Sequence, residues 1–285
     1  MKRRKTNKLL QPFLKWAGGK RQLLTEIKKY LPKMTSSMTY YEPFLGGGAV
    51  LFHIQPSKAI VNDINSEVIN VYRVIKEDVD GLVENLKTHK NEAEYYYHIR
   101  ELDRKADFDT LPELEKASRI IYLNKTCYNG LFRVNSQGQF NVPFGRYKNP
   151  QIVNEVTLRA ISNYLNQNDV TILNTDFENV VNNIGKNDFV YLDPPYDPVS
   201  DSASFTGYTL YGFDREEQKR LKSLCDKLHS KGCKFLLSNS ATPFIKDLYA
   251  EADYETIIVK ASRNINSRAS GRGKIDEVLV RNYGE

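Results

Sequence analysis

The chain has 285 residues, 40% hydrophobic and 27% charged, with a formal net charge of +6 and an isoelectric point near 9.0. That length buries a full core in one large domain or two unequal ones. No stretch approaches the ~18 apolar residues of a membrane span, and the basic start, residues 1–8, lacks the apolar run of a secretory signal. Three cysteines without Cys-x-x-Cys spacing and four scattered histidines argue against a disulfide framework and a zinc site. A soluble, cytoplasmic protein is expected. Its positive charge permits a polyanionic partner without requiring one.

Residues 39–44 read as a short strand running into Gly46, Gly47 and Gly48, followed by an apolar run over 49–54. Residues 58–63 form a second strand that ends on an acid, and 66–76 carry Val68, Ile69, Tyr72 and Ile75 at helical spacing. From about Asp78 to Leu165 helical patterns dominate, broken by a Gly/Asn/Pro-rich stretch over 129–150. Further strands fall at 170–173, 189–192 and 234–237. Between the last two, 215–229 is a helix with Leu221, Leu224 and Leu228 on one face. Residues 256–259 and 277–280 read as a hairpin closed by a long polar loop. Strands alternating with helices predict a doubly wound α/β sheet. Residues 1–77 and 166–285 make up that sheet domain, with a mainly helical domain over 78–165 inserted into it.

Two patterns carry chemistry. Glycines placed after a strand and before a helix let backbone amides approach a ligand closely. Asp63, ending the next strand, is placed to bind ribose hydroxyls. A dinucleotide fingerprint is incomplete, because Leu51 stands where its third glycine falls. A phosphate-binding Walker loop also fails, with Leu14 and Arg21 at required positions. The second pattern is the corner Asp193-Pro194-Pro195-Tyr196 at the end of an apolar strand. It offers a carboxylate, a fixed carbonyl and an aromatic face to a flat amine-bearing substrate. Read singly, either pattern is an ordinary turn.

Together they resemble a family. Phe44, Gly46 and Gly48, the acid Asp63, and the corner from Asp193 to Tyr196 resemble the amino-methyltransferases that use S-adenosylmethionine. The segment Phe13-Leu14-Lys15-Trp16-Ala17-Gly18-Gly19-Lys20 narrows the match to adenine-N6 DNA methyltransferases of the Dam and DpnII type. The resemblance runs from Phe13 to about Tyr283 and implies a Rossmann-like methyltransferase sheet with an inserted DNA-recognition domain. It implies that Trp16, Lys20, Phe44, Gly46, Gly48, Asp63, Asp176 and Asp193 line the S-adenosylmethionine site. Lys20 would lie near the cofactor's carboxylate, Asp63 would hold the ribose and Asp176 would reach the adenine ring amine. Asp193, Pro194 and Tyr196 would be catalytic: two acceptors grip the amine of a flipped adenine while Tyr196 stacks on it. No metal enters this scheme.

Residues 128–133 and 139–147 resemble the segment by which this family reads GATC in double-stranded DNA. Tyr128, Asn129, Leu131 and Pro143 carry over as base-contacting or wedging positions, and Arg133 as the bidentate reader of guanine. Arg268, Arg272 and Lys274, in the loop of the terminal hairpin, are expected on the DNA backbone. Two rival readings keep parts of this picture: related corners serve RNA bases and protein glutamine amides, and a DNA-binding module could retain the fold without activity. The intact corner, Lys20 and Asp63 weigh against the second. The resemblance leaves open a restriction–modification role, with a cognate endonuclease encoded nearby, and a solitary or phage role.

Overall fold

A computed structural model describes residues 6–16, 20, 23–198, 212–250, 253–262 and 274–284. Seven strands form one sheet in the order β3-β2-β1-β4-β5-β7-β6. β1 (Tyr40–Glu42), β2 (Lys58–Asn62), β3 (Asp169–Leu173), β4 (Phe189–Leu192) and β5 (Lys234–Ser240) run parallel. β6 (Glu255–Ser262) and β7 (Lys274–Arg281) are the expected hairpin, and β7 joins β5 antiparallel.

The central parallel strands β1 and β4 are buried along their whole length because both faces of the sheet are covered there. Side chains of β1, β4 and β5 alternate between two cores. Tyr40, Phe189, Tyr191 and Leu236 enter one; Tyr41, Val190, Leu192, Phe235 and Leu237 enter the other. The first core takes Ile27 of α1 (Leu24–Tyr30), Leu51 of α2 (Ala49–Ile54) and the apolar face of α3 (Ser66–Glu77). α3 starts where the Asn65 side chain accepts the Val68 N–H at 3.1 Å, a standard way of satisfying a helix's first amides. The second core is covered by α8 (Phe177–Val180), α9 (Arg215–Ser230) and α10 (Pro243–Leu248). Helices therefore lie on both faces, as a doubly wound sheet requires. No helix among the described residues is long and apolar enough to cross a membrane.

The middle of the chain is helical, as expected: α4 (Val79–Lys87), α5 (Ala93–Arg100), α6 (Glu113–Thr126) and α7 (Glu155–Gln167). Their apolar residues, among them Leu82, Tyr96, Ile120 and Leu158, belong to the same cluster as α3 and the sheet. α6 also buries a charge. Arg119 is 2% exposed and pairs with Asp103 at 2.7 Å and Glu67 at 3.3 Å, while its Nε donates to the Ile99 carbonyl at 2.9 Å. Asp103 Oδ2 also accepts the Phe140 N–H at 2.7 Å. The buried pair thus reaches into the glycine-rich stretch beyond α6.

The strand order places the site. β1 is flanked by β2 and β4, and the helices that follow β1 and β4 (α2 and α9) pack on opposite faces. The chain therefore diverges beyond the carboxyl ends of β1 and β4. This leaves a crevice where open α/β sheets bind their ligands. The glycine run follows β1 and Asp193 follows β4, so the two sequence patterns meet there. Four strands exceed their expected lengths: β3 by one residue, β6 and β7 by four each, and β5 by three. β5 continues through Ser238, Asn239 and Ser240, all fully buried, because polar partners await them near the Asp193 corner.

Candidate active site

Three strand ends are tied by Asn62, 1% exposed. Its Nδ2 donates to the carbonyls of Pro43 and Thr175, each at 3.0 Å, and its Oδ1 accepts the Thr175 N–H at 2.9 Å. The next residue, Asp63, accepts the Gly46 N–H at 2.8 Å on one oxygen and the Asn65 N–H at 2.9 Å on the other. Burial raises its pKa, and these two amides oppose the rise. Each carboxylate oxygen keeps a second lone pair for a ligand hydroxyl.

Gly46 and Gly48 hold φ of +48° and +68°, where a side chain is strained. A Cβ on Gly46 would lie 2.7 Å from Trp16 Nε1, and one on Gly48 2.5 Å from the Tyr72 hydroxyl. The glycine run therefore lets the Trp16 indole close over the loop, besides freeing the backbone. Phe44 packs on Phe177 and Phe213 at ring separations of 5.3 and 5.7 Å, giving the loop an aromatic floor.

The corner after β4 gathers a cation, two acids and a ring. Lys20 Nζ lies 2.7 Å from Asp193 Oδ1 and 4.4 Å above the centre of the Tyr196 ring. Tyr196 in turn donates its hydroxyl to Glu277 Oε2 at 2.8 Å. Burial lifts the Asp193 carboxyl to about 6, Lys20 pulls it down, and Glu277 adds to the rise. Glu42, at the end of β1, is 2% exposed and accepts the Tyr40 hydroxyl at 2.8 Å. Burial pushes its pKa well up, with Asp193 and Asp63 contributing. The crevice is thus acid-rich, which suits ligands carrying positive charge or amine hydrogens.

The prolines alone do not fix the corner. Gln218 Nε2 of α9 donates to the Pro195 carbonyl at 2.8 Å, and its Oε1 accepts Asn239 Nδ2 at 3.0 Å. Asp197 is 1% exposed and held by the Asn239, Ser240 and Thr242 side chains and by Arg215. A buried, mutually satisfied network of this kind specifies one geometry. Sequence reading assigned no role to these residues, nor to Glu277. The one visible signal was the polar triplet from Ser238 to Ser240 extending an apolar strand.

Asp176 lies after β3, caps α8 through the Glu178 N–H at 3.0 Å and pairs with Arg220, which also meets Glu178 at 3.0 Å. The next residue, Phe177, packs on Phe44 at a ring separation of 5.3 Å.

The expected base-reading residues form one exposed unit. Tyr128 to Gly130 make a tight turn in which Asn129 has φ of +56°. The Tyr128 N–H donates to the Pro143 carbonyl at 2.8 Å, bringing Tyr128, Asn129 and Pro143 together. Leu131 follows, half-buried. Arg133 is exposed on a hairpin closed by the Val134–Phe140 bridge. Its Nε donates to Asn141 Oδ1 at 2.6 Å and its Nη2 to the Asn141 carbonyl at 3.1 Å. That leaves the outer edge of the guanidinium for another partner. Asn141 is the residue that sequence reading missed here. Phe132 faces inward and meets Trp16 at a ring separation of 5.1 Å, so this unit touches the glycine loop's cover. Arg268 and Arg272 lie outside the described residues, and Lys274 is placed only as the first residue of β7.

Comparison with known proteins agrees with this arrangement. Residues 16–265 match the family described as D12 class N6 adenine-specific DNA methyltransferase. A Type II methyltransferase of Lactococcus lactis subsp. cremoris, M1.LlaDCHI, is 46% identical over 96% of both chains. M.MjaIII, a Type II methyltransferase of Methanocaldococcus jannaschii, is 42% identical over 96% of this chain and 99% of its own. A DNA adenine methylase of Salmonella typhi is 36% identical over 94% of each. With its sheet, its glycine loop and its Asp193 corner in place, the chain belongs to the D12 class of N6 adenine-specific DNA methyltransferases.

Proposed function

We propose that this enzyme methylates N6 of a flipped adenine in double-stranded GATC, taking the methyl group from S-adenosylmethionine. The observation that carries the proposal is the convergence of Lys20, Asp193, Tyr196 and Glu277 beyond β4, beside the loop that Trp16 covers. S-Adenosylmethionine, which the family implies, supplies an electrophilic methyl group on a sulfonium. The residues present fit it: Asp63 has acceptor capacity for a ribose diol, Lys20 is a cation for its carboxylate, and Asp193 is an acid for its positive end. Trp16, Phe44, Gly46, Gly48 and Asp176 would complete that side.

Adenine N6 is a weak nucleophile because its lone pair is delocalised into the ring. Asp193 and the Pro194 carbonyl accept its two N–H groups and favour a pyramidal nitrogen whose lone pair is aimed at the methyl carbon. Bound S-adenosylmethionine would supply the methyl carbon, its C–S bond breaking with the electrons left on sulfur, while Asp193 and the Pro194 carbonyl hold the nitrogen until it releases a proton to water. Preset acceptors stabilise the positive charge growing on nitrogen, and alignment of the two reactants supplies several kcal/mol, ~7 or more in well-oriented cases. A base reaches this pocket only by leaving the duplex. It stacks on the face of Tyr196 that Lys20 leaves open, while the bond to Glu277 holds the ring.

Residues 78–165 form the target-recognition part, with Tyr128, Asn129, Leu131 and Pro143 on the bases and Arg133 on guanine. Arg268, Arg272 and Lys274 remain proposed phosphate contacts. The Type II names of two relatives favour a restriction–modification role with a cognate endonuclease. Because Asn141 presents the free edge of Arg133, Arg133→Ala is expected to lower discrimination for GATC over near-cognate duplexes by about 1–3 kcal/mol. Ratios of kcat/KM on paired oligonucleotides measure it, and an unchanged ratio would remove Arg133 from guanine reading.

Asp193 must be ionised to accept the amine hydrogens. The rate of methyl transfer should therefore rise with pH through a limb near Asp193's pKa of about 6. Lys20 lowers that pKa, so Lys20→Met should move the limb to higher pH, whatever it does to the maximum rate. Stability has the opposite sign. A raised carboxyl pKa means the folded state binds more protons, so Asp193's contribution falls as pH rises from the ordinary 3.8 to about 6. Single-turnover rates across pH 5–8, taken as a range of about three units around that limb, test the shift; coincident profiles would contradict it.

A further inference from the structure

We infer that Asn124, at the end of α6, is a positioning residue that couples cofactor binding to target recognition. Its side chain is fully buried. Its Oδ1 accepts the Lys15 N–H at 2.8 Å, and its Nδ2 donates to the Lys15 carbonyl at 2.8 Å and to the Gly130 carbonyl at 3.1 Å. One amide thus grips both backbone groups of Lys15, 109 residues away, as a neighbouring strand would, and also holds the turn that bears Tyr128 and Asn129.

The two segments it joins are in close contact. Lys15 lies so tightly on Gly130 that a Cβ there would sit 2.2 Å from Lys15 Cδ. Its ammonium lies 4.7 Å above the Tyr147 ring. The next residue, Trp16, covers Gly46 on one side and meets Phe132 on the other. Gly130 sits between Asn129 and Leu131, and Phe132 between Leu131 and Arg133. Cofactor-side and base-side residues therefore alternate through one set of contacts.

All three hydrogen bonds are satisfied by a single placement of Lys15 and Gly130. A ligand that fixes either segment fixes the other, and the second ligand meets a site already ordered. This rests on the proposed function, with Trp16 and Lys20 on the cofactor and residues 128–133 on DNA. A purely architectural Asn124 would shift both affinities and leave their ratio unchanged.

Trp16 is the only tryptophan in the chain, so its fluorescence reports the cofactor segment directly. The full-length enzyme is titrated with S-adenosylhomocysteine, alone and with a saturating GATC duplex, and the ratio of the two Kd values is the coupling factor. Wild type is expected to show a factor of about 5–150, and Asn124→Ser to bring it within about twofold of 1. Should that variant not fold, Gly130→Ala strikes the same junction by driving a methyl group into the Lys15 stem, with the same expected loss. A folded variant that keeps the wild-type factor overturns the inference. So does wild type binding both ligands independently, which leaves the methyl-transfer reading intact. Failure of wild type to bind S-adenosylhomocysteine at all overturns that reading and the inference with it.

Discussion

Asp193→Ala is expected to leave duplex binding in place and to lower single-turnover methyl transfer by at least about 10²-fold. The carboxylate stands directly after β4, at the crevice where the sheet's chain order reverses. Its neighbours make it more than a hydrogen-bond acceptor. Lys20 pairs with it at 2.7 Å, and Glu277 acts on it through the Tyr196 side. Asp193→Asn separates two contributions, because the amide retains one acceptor and loses the charge. A deficit in Asn as deep as in Ala assigns the effect to charge; a much shallower one assigns it to the acceptor. Rapid-quench measurements with enzyme in excess over duplex isolate the chemical step. A rate within a few-fold of wild type would remove Asp193 from the chemistry.

Arg119→Ala is expected to cost about 3–5 kcal/mol of stability, the usual result of removing one partner from a buried pair. Arg119 holds Asp103 at 2.7 Å and Glu67 at 3.3 Å; its loss leaves Glu67 without its cation and Asp103 with Arg104 alone, at 2.7 Å. Glu67 already shows the strain of burial: its pKa is raised to about 7, with Arg119 opposing the rise and Asp103 adding to it. Removing Arg119 should raise it further. The double variant Arg119→Met with Asp103→Leu should recover much of the loss, since apolar replacement of a buried pair is often near neutral. Urea unfolding of the three proteins tests this. The double variant still lacks the Asp103 carboxylate on the Phe140 N–H, so it should remain impaired on DNA even when stable. A cost below about 1 kcal/mol for Arg119→Ala would show that the pair contributes little.

Much of this molecule was legible in the amino-acid order. β4 and α2 have the bounds that their apolar runs suggest, and the corner and glycine run fall together because both end neighbouring parallel strands. Local pattern sufficed there, since a buried parallel strand is marked by its own side chains. What stayed hidden are the buried polar residues: Asn62, Asn124, Gln218, Asn239 and Glu277. Their partners are far along the chain, 81 residues from Tyr196 to Glu277 and 113 from Asn62 to Thr175. A polar residue in sequence carries no sign of whether water or a distant carbonyl will satisfy it. Asp176 shows a different limit. Its position after β3 was visible, but its pairing with Arg220 depends on α9 packing into the same core as α8.

The recognition unit divides in the same way. The turn at Asn129 and the exposed arginine could be read from glycine and asparagine spacing. The bonds from Arg133 to Asn141, and from Asn124 to Lys15 and Gly130, could not. They come from the return of the hairpin and from α6 packing against the amino-terminal segment.

The most direct test is to incubate the purified enzyme with S-adenosylmethionine and unmethylated genomic-length DNA and to map N6-methyladenine base by base, with Asp193→Ala alongside. Methyl groups are predicted on the adenine of GATC on both strands, and absent from DNA treated with the variant. Methylation centred on another sequence would contradict the GATC assignment. Modification that persists in the variant would contradict the role given to the corner from Asp193 to Tyr196.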